Sequence, residues 1–436
     1  DRYLRNVAQA PVHQPSGVVM EVVGLVVEVG GLQAGVGDIL QVITETGKPL
    51  ELEVIGFRSG RLQTPPLGTI TGVRPGARVI RSELGSTVAV GDALLGRVID
   101  AFGVPLDGLA APELREQVPV HCAPPPPFSR RPIDRPFATG IRAIDSLLTL
   151  GCGQRLGIFA GAGVGKSTLL GMICRSSQAD VNVVGLVGER GREVNDFVRN
   201  ALGMEGLARS VLVTATSDQP PLVRARGAET ATAIAEYFRD QGKNVLLVMD
   251  SMTRYAMAMR EAALAAGEPP ATKGYPPSVF AALPRLLERP GTTSGPGVIT
   301  ALYTVLVEGD DLADPISDAA RSILDGHIVL SRSFAERGHF PAIDVLQSVS
   351  RLAPALQTPA QGKAAIAVRD LLATYREAID LIQVGAYVAG SDPRVDAAIR
   401  AVPQLDAFLR QGIAESISMP ETIARLQHLS RLGHSA

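Results

Sequence analysis

The chain has 436 residues, of which 46% are apolar and 20% are charged, the balance of a globular protein with a sizeable core. Its 42 Lys and Arg residues nearly match its 44 Asp and Glu residues, and the net charge of −2 excludes the global basic field typical of nucleic-acid binding. Three cysteines without CxxC spacing support neither a disulfide framework nor a cysteine zinc site, and no apolar run approaches a membrane span. We expect a soluble protein of two or three domains from a reducing compartment.

The N-terminal region, up to about residue 85, has the pattern of short β-strands. Its Val-rich stretches GVVMEVVGLVVEVGG and LQVITETGKPLELEVIGF are punctuated by glycine and by a Thr-Gly-Lys-Pro turn. The sequence therefore predicts a small β-barrel domain over residues 1–85.

Residues 86 to about 135 are irregular, with four consecutive prolines at 124–127 that stiffen the chain. We predict a connection here, Pro-rich over 111–135, that partly wraps the surface of the next domain.

From 136 to 355, short apolar runs alternate with helical segments, which is typical of an α/β fold with a mostly parallel sheet covered on both faces. The predicted strands are Arg155–Phe159, Val181–Val187, Ser210–Ala215, Val245–Met249, Val298–Val307 and His327–Ser331. The predicted helices are Lys166–Arg175, Glu193–Leu202, Ala225–Asp240, Met252–Ala266 and Ser278–Glu288. With the connection, this domain is expected to cover 86–355, and the Ala/Leu-rich residues 356–436 are expected to form a small domain of two or three short helices.

The segment LGIFAGAGVGKSTLLGM predicts a phosphate-binding loop between a strand and a helix. Glycines let consecutive backbone N–H groups turn inward around phosphate oxygens, and the new helix adds its positive N-terminal end. Lys166 would reach the β- and γ-phosphates of ATP, and Ser167 would ligate Mg²⁺. The expected nucleotide contacts are Ala160 (where the pattern usually has Gly), Gly161, Ala162, Gly163, Val164, Gly165, Lys166, Ser167 and Thr168.

Two acidic residues follow other predicted strands of this sheet. Asp250 ends the apolar run NVLLVMD, where a carboxylate suits the magnesium shell; alternatively, it caps the helix that follows. Glu189 in VVGLVGERGREV is suited to orienting an attacking water, but the spacing alone favours a surface glutamate paired with Arg190 or Arg192.

Three further features stay open from the residues alone. Arg351 fits a solvated helix charge, and Phe340 fits a core position better than a base-stacking one. The segment VEGDDLADP, with Asp310, Asp311 and Asp314, lacks the spacing of a calcium loop and fits an exposed acidic turn.

Several long motifs, however, resemble one family. IFAGAGVGKST, GLVGERGREV, VLLVMDSMTRYAMAMREAALAAGEPPATKGYPPSVFAALPRLLER, RSILDGHIVLSR and GHFPAIDVLQSVSR resemble the ATPases of type III protein export, which serve flagella and virulence injectisomes. That family is related to the catalytic subunits of rotary F- and V-type ATPases. The likeness spans nearly the whole chain and implies a RecA-like P-loop core, preceded by a small β-barrel and followed by a small helical domain.

The resemblance also implies roles for individual residues. Glu189 falls at the family's catalytic glutamate, and Arg190 beside it would contact phosphate or position that glutamate. Arg351 falls at an arginine finger that is donated across a subunit boundary. Phe340 falls where an aromatic residue packs on the adenine. Asp310, Asp311 and Asp314 match a loop that lines the pore and meets a central stalk.

The expected function is therefore a Mg-ATP hydrolase that works as a homohexamer at the cytoplasmic face of the inner membrane. Its expected partners are a central stalk protein, a stator-like regulatory protein, export chaperones and substrates, and the membrane export gate, with no nucleic acid. A flagellar system is favoured over an injectisome.

Two other classes remain as alternatives. A rotary proton-ATPase subunit would need a longer C-terminal domain and a second homologous chain. A hexameric RNA translocase would need a basic platform with aromatic residues in the barrel, where residues 16–60 offer one aromatic residue, Phe57.

Overall fold

A computed structural model describes residues 15–45, 47–82, 85–307 and 314–433. Seven N-terminal strands form one antiparallel sheet: β1 (Ser16–Val23), β2 (Val26–Gly30), β3 (Ile39–Ile43), β4 (Pro49–Glu53), β5 (Gly56–Arg58), β6 (Arg61–Thr64) and β7 (Arg78–Arg81). Their order is β4-β3-β7-β1-β2-β6-β5. Leu52 of β4 also bridges Pro66, just beyond β6, and the Leu67 amide donates to the Glu51 carbonyl at 2.8 Å. The sheet thus curves toward closure, as expected of the predicted barrel.

The connecting segment is less irregular than its sequence predicts. It contains β8 (Thr87–Val90), β9 (Val98–Asp100) and β10 (Glu116–Pro119), and β8 pairs with β10. Strand β9 lies at one edge of the central sheet, parallel to its neighbour. A strand of three residues has no periodicity to read, so only the exposed edge that it joins specifies it.

The central sheet is mostly parallel, as predicted. The remaining strands are β11 (Pro136–Phe137), β12 (Leu150–Gly151), β13 (Arg155–Ala160), β14 (Val181–Val187), β15 (Ser210–Ala215), β16 (Asn244–Asp250), β17 (Gly291–Thr292), β18 (Val298–Leu306), β19 (Gly326–Leu330) and β20 (Ile343–Ser350). The sheet order is β20-β19-β13-β18-β16-β14-β15-β9, with β17 paired to β18. Among the described strands of this sheet, only β20 and β17 run antiparallel to their neighbours.

Helices cover both faces of this sheet. In chain order they are α1 (Arg142–Leu147), α2 (Lys166–Ser176), α3 (Gly191–Asp196), α4 (Gly203–Ala208), α5 (Pro221–Asp240), α6 (Met252–Ala265), α7 (Pro277–Leu287), α8 (Pro315–Ile323), α9 (Arg332–Glu336), α10 (Ala353–Leu356), α11 (Pro359–Gln383), α12 (Pro393–Leu409) and α13 (Met419–Leu429). The helix predicted over Glu193–Leu202 is confirmed, since α3 continues without a break into a π-helical turn, Phe197–Leu202. Within the described ranges, no helix has both the length and the apolarity to cross a membrane.

The six predicted strands of the core are confirmed within one residue at each end. The prediction missed β20, because three buried polar residues, Asp344, Ser348 and Ser350, interrupt the apolar run of its sequence IDVLQSVS. The C-terminal helices are also confirmed, although the first of them, α11, is 25 residues long and not short.

A buried arginine connects the core to the C-terminal helices. Arg142, at the start of α1, is 4% exposed, and its Nε donates to the Phe408 carbonyl at 2.7 Å. The same guanidinium also bonds the Arg410 carbonyl and the Glu415 carboxylate. One side chain therefore satisfies three acceptors at the end of α12 and beyond it.

We expect Arg142→Ala to lower the free energy of unfolding by about 3 kcal/mol, because it removes these bonds and leaves the buried acceptors around the Arg142 side chain without a donor. Urea unfolding followed by circular dichroism measures the change. Arg175→Ala is the matched control, since half-buried Arg175 makes a single side-chain hydrogen bond, to the Ile413 carbonyl. Equal stability of the two variants would contradict the anchoring role.

Candidate active site

The glycine-rich loop lies between β13 and α2, as predicted. Ala160 is the last residue of β13, so its extended backbone needs no glycine. Gly163 and Gly165 have φ of 79° and 87°, values that side chains disfavour. Exposed Ser167 lies in the first turn of α2, where free backbone N–H groups and the helix dipole favour an anion.

Lys166 meets both predicted carboxylates. Its Nζ lies 2.5 Å from Asp250 Oδ1 and 3.6 Å from Glu189 Oε1. Asp250 ends β16 and Glu189 follows β14, while Lys166 follows β13, so three strands deliver the three charges to one edge of the sheet. Asp250 and Glu189 are 2% and 7% exposed, respectively. The alternative interpretation of Glu189 as a surface residue is wrong.

The interpretation of Asp250 as a helix cap is also wrong. The cap of α6 is Ser251, whose Oγ accepts from the Arg254 amide at 3.3 Å. Asp250 Oδ1 instead accepts from the Thr304 hydroxyl at 2.6 Å, in addition to Lys166. Thr304 lies on β18, the strand between β13 and β16. It orients the carboxylate, although nothing in its local sequence distinguishes it.

The pKa of Glu189 is raised to about 7, first because burial disfavours its charge. A hydrogen bond with Glu193 raises this pKa further, and the same bond lowers the pKa of Glu193. The positive charges of Lys166 and Arg254 oppose the shift. A carboxyl group poised near neutral pH can hold and release a proton, as a group that acts on water must.

The arginine that contacts Glu189 is Arg254 and not its neighbour Arg190. Arg254 Nε lies 3.3 Å from Glu189 Oε1, with its side chain packed against Gly188. Arg190 has a side chain that is 78% exposed and lies 3.7 Å from Glu193. Sequence analysis missed Arg254; the available signal was its place one helical turn after Asp250, which directs it to the same edge of the sheet.

The donor set suits magnesium. A hydroxyl at Ser167 and a carboxylate at Asp250 are the hard oxygen ligands that Mg²⁺ prefers, and Mg²⁺ usually takes one or two protein oxygens together with phosphate oxygens and water. Among the described residues, no group of three or more His, Cys, Asp or Glu side chains could hold a metal alone. The residues therefore fit a metal that arrives with a nucleotide.

Phe340 lies against the glycine-rich loop. A Cβ placed on Gly165 would come within 3.3 Å of its ring, and Phe340 is 44% exposed. The interpretation of Phe340 as a core residue is therefore wrong. The Gln411 amide donates to the Phe340 carbonyl at 2.8 Å, so a residue after α12 fixes this position.

Arg351 lies on the side of the sheet where the parallel strands begin, opposite the side where they end and where the phosphate loop lies. It follows β20, which runs antiparallel to β19, and its amide donates to the Asp325 carbonyl at 3.0 Å. Asp325 in turn pairs with Arg155, the first residue of β13. The phosphate loop follows Ala160, the last residue of the same strand. At about 3.3 Å per residue, β13 separates these edges by about 16 Å. Arg351 is exposed and belongs to no helix, so the helix-charge interpretation is wrong.

The acidic turn lies mostly outside the described residues, which exclude Asp310 and Asp311. Asp314 caps α8, and its Oδ2 accepts from the Ile316 amide at 3.0 Å. This carboxylate therefore has a structural task in the chain.

Two family models match the chain. Residues 140–350 match the ATP synthase alpha/beta family, nucleotide-binding domain, and residues 357–428 match the T3SS EscN ATPase C-terminal domain. The first match contains the phosphate loop, Glu189 and Asp250, and the second covers the C-terminal helices.

Curated relatives match over most of their length. The flagellum-specific ATP synthase of Bacillus subtilis is 52% identical over 95% of each chain. The type 3 secretion system ATPase of Sinorhizobium fredii is 49% identical over 95% of this chain and 92% of its own.

Solved structures agree with these matches. The assembled ATPase EscN from enteropathogenic E. coli matches with a TM-score of 0.90 and 46% identity, over 95% of this chain and all of that chain. EscN in complex with its central stalk EscO matches with a TM-score of 0.88 and 45% identity over the same shares. The chain therefore belongs to the type III protein-export ATPase family, whose curated members are named flagellum-specific ATP synthases and type 3 secretion system ATPases.

Proposed function

We propose that this ATPase hydrolyses Mg-ATP within a homohexameric ring and energises type III protein export, in a flagellar-type system. The observation that carries the proposal is the convergence of Lys166, Glu189 and Asp250 at the phosphate loop, with Arg351 at the opposite edge. The family supports ATP hydrolysis, and the identity to flagellum-specific relatives supports the flagellar type.

In the proposed reaction, water attacks the γ-phosphorus in line with the departing ADP oxygen. Glu189 orients the water and accepts its proton, and Lys166 leaves its carboxylate partners to hold the β- and γ-phosphates. Ser167 and Asp250 would hold Mg²⁺, which supplies positive charge to the phosphate oxygens when bound. Arg254 keeps Glu189 in place and favours its ionised form. Phe340 would pack on the adenine.

The remaining charge comes from a neighbouring copy. Because about 16 Å of sheet separates Arg351 from its own phosphate loop, it serves a γ-phosphate only across a subunit boundary. A ring with one edge of each subunit against the opposite edge of the next gives every site one such arginine. The similarity of this chain to EscN, an ATPase solved in its assembled form, supports a ring here.

The proposed partners follow the same relatives. A central stalk protein would contact the pore loop that carries Asp310, Asp311 and Asp314, as EscO is the central stalk of EscN. A stator-like regulatory protein, export chaperones, their substrates and the membrane export gate complete the assembly, at the cytoplasmic face of the inner membrane. An injectisome is the second candidate, supported by 49% identity to a secretion ATPase and by the C-terminal match. Stimulation by the stalk protein of one system and not the other decides between them.

Glu189→Gln should reduce kcat by about 100-fold or more and leave ATP affinity within a few-fold of wild type, because an amide cannot accept the proton of water. Steady-state hydrolysis and binding of a fluorescent ATP analogue measure the two quantities. Glu205→Gln, at an exposed position of α4, is the control. Turnover like that of the wild type would refute the assignment.

The kcat/KM for Mg-ATP should rise with pH through an inflection near 7, since only ionised Glu189 accepts a proton and the pKa of this residue in the free enzyme is raised to about 7. Glu193→Ala removes a hydrogen bond that raises this pKa, so the inflection should move to lower pH. A pH profile of each variant tests this. An unchanged or higher inflection in Glu193→Ala would contradict it.

Arg351→Ala and Glu189→Gln should each be inactive alone and regain activity when mixed. A mixed ring contains boundaries at which an intact Glu189 faces an intact Arg351, about a quarter of the sites at equal mixing. Hydrolysis as a function of mixing ratio measures the recovery. An Arg351→Ala, Glu189→Gln double variant, mixed with either single variant, supplies the control that should stay inactive. No recovery in the mixture would refute donation across the boundary.

A further inference from the structure

An aromatic side chain projects fully into solvent from the Pro-rich connection. Phe128 is completely exposed, and its relative exposure of 105% is the highest of any large apolar residue that the structure describes. It lies in a 3₁₀ turn, Pro127–Ser129, directly after the run of prolines. Exposed aromatic rings on a rigid base are typical anchors of protein–protein contacts.

The two residues that follow Ser129 hold this turn in place. Arg130 donates from Nη1 to the Pro290 carbonyl at 2.9 Å, and Arg131 donates from Nε to the Thr293 carbonyl at 3.0 Å. Thr292 Oγ1 donates back to the Arg131 carbonyl at 2.6 Å. These bonds fix the base of the Phe128 turn to the β17–β18 hairpin, so little conformational entropy remains to be lost when the ring is covered.

A chain of ion pairs leads from the Phe128 turn to Arg351. Arg130 Nη2 lies 3.4 Å from Glu288 Oε2, and the same carboxylate pairs with Arg155. Arg155 Nε lies 3.2 Å from Asp325 Oδ2, and the Asp325 carbonyl accepts the Arg351 amide. The Phe128 turn and Arg351 are therefore parts of one rigid surface.

This surface lies at the amino-terminal ends of the parallel strands, opposite the carboxyl ends that carry the phosphate loop. The turn of the β17–β18 hairpin leads directly into β18, and Arg155 begins β13, so both lie at the amino-terminal ends of parallel strands. We call the surface formed by Phe128, the hairpin and Arg351 the donor edge.

We propose that the donor edge is a subunit-contact surface and that Phe128 is its apolar anchor, covered by the phosphate-loop side of a second copy of this chain. The inference rests on the proposed function in one respect, since Arg351 must face the phosphate loop of a neighbouring copy. The ion pairs join the Phe128 turn to Arg351 at the same ends of the strands, and we infer that the copy that receives the arginine also covers the ring of Phe128. Phe128 supplies contact area without touching nucleotide, which makes it an assembly residue and not a catalytic one.

The test is the assembly of the full chain with Mg²⁺ and a non-hydrolysable ATP analogue. Sedimentation velocity gives the concentration at which half of the chains are in rings, and for Phe128→Ala this concentration should rise about tenfold or more. At concentrations that restore the ring, hydrolysis per site should return to the wild-type value, because Glu189 and Arg351 are intact. Phe128→Leu, which keeps most of the apolar area, should assemble closer to wild type.

Phe57→Ala is the matched control, since it removes an aromatic ring from a barrel residue that is 59% exposed. Its thermal unfolding and that of Phe128→Ala should equal the wild type. Assembly of Phe128→Ala at wild-type concentrations would overturn the inference, as would a loss of hydrolysis that persists in fully assembled rings. If Arg351→Ala and Glu189→Gln complement each other while Phe128→Ala assembles normally, this inference alone fails. If they do not complement, the proposed ring catalysis fails.

Discussion

The active site depends on the ion pair between Lys166 and Asp250. Both groups are largely withdrawn from water, and a buried charge without a partner costs several kcal/mol. Glu189 Oε1 lies 3.6 Å from the same ammonium, and its own burial raises its pKa to about 7, so the site accommodates two carboxyl groups around one lysine. In our proposal, a triphosphate draws Lys166 away and so changes the electrostatics of both carboxyl groups at once. The same charges would then couple nucleotide binding to the preparation for hydrolysis.

Parallel strands impose the second constraint, because they direct all their carboxyl ends to one edge of the sheet. The lysine, the glutamate and the aspartate meet there although 84 positions separate Lys166 from Asp250. The antiparallel strand β20 is the exception that delivers Arg351 to the other edge. One reversed strand thus separates the phosphate loop from an arginine that fits its chemistry. In our proposal, this separation means that each catalytic site needs two copies of the chain, one supplying the phosphate loop and the other Arg351. The rigid donor edge fixes how the two copies pack against each other.

Local patterns predicted most of the central fold but not its edges. Strands β13, β14 and β16 are buried on both faces, so their continuous apolar runs identify them without tertiary information. Strands β9 and β20 lie at the two edges of the sheet, and their sequences are short in the first case and mixed in polarity in the second. The site shows the same division. The phosphate loop is continuous in sequence and was predicted in full. Thr304, by contrast, acts through a contact that no local pattern encodes, and Arg254 was missed although its spacing from Asp250 directs it to the site.

The sequence by itself determined the barrel, the mostly parallel core, the nucleotide loop and the family, because each is carried by contiguous residues or by periodic burial. Only the tertiary structure decided which arginine contacts Glu189, that Ser251 and not Asp250 caps α6, and that Phe128 and Arg351 share one rigid edge. These features depend on distances between residues far apart in the chain. Side-chain charge and hydrogen-bond geometry act over a few ångströms, so they are defined only once the strands have been placed side by side.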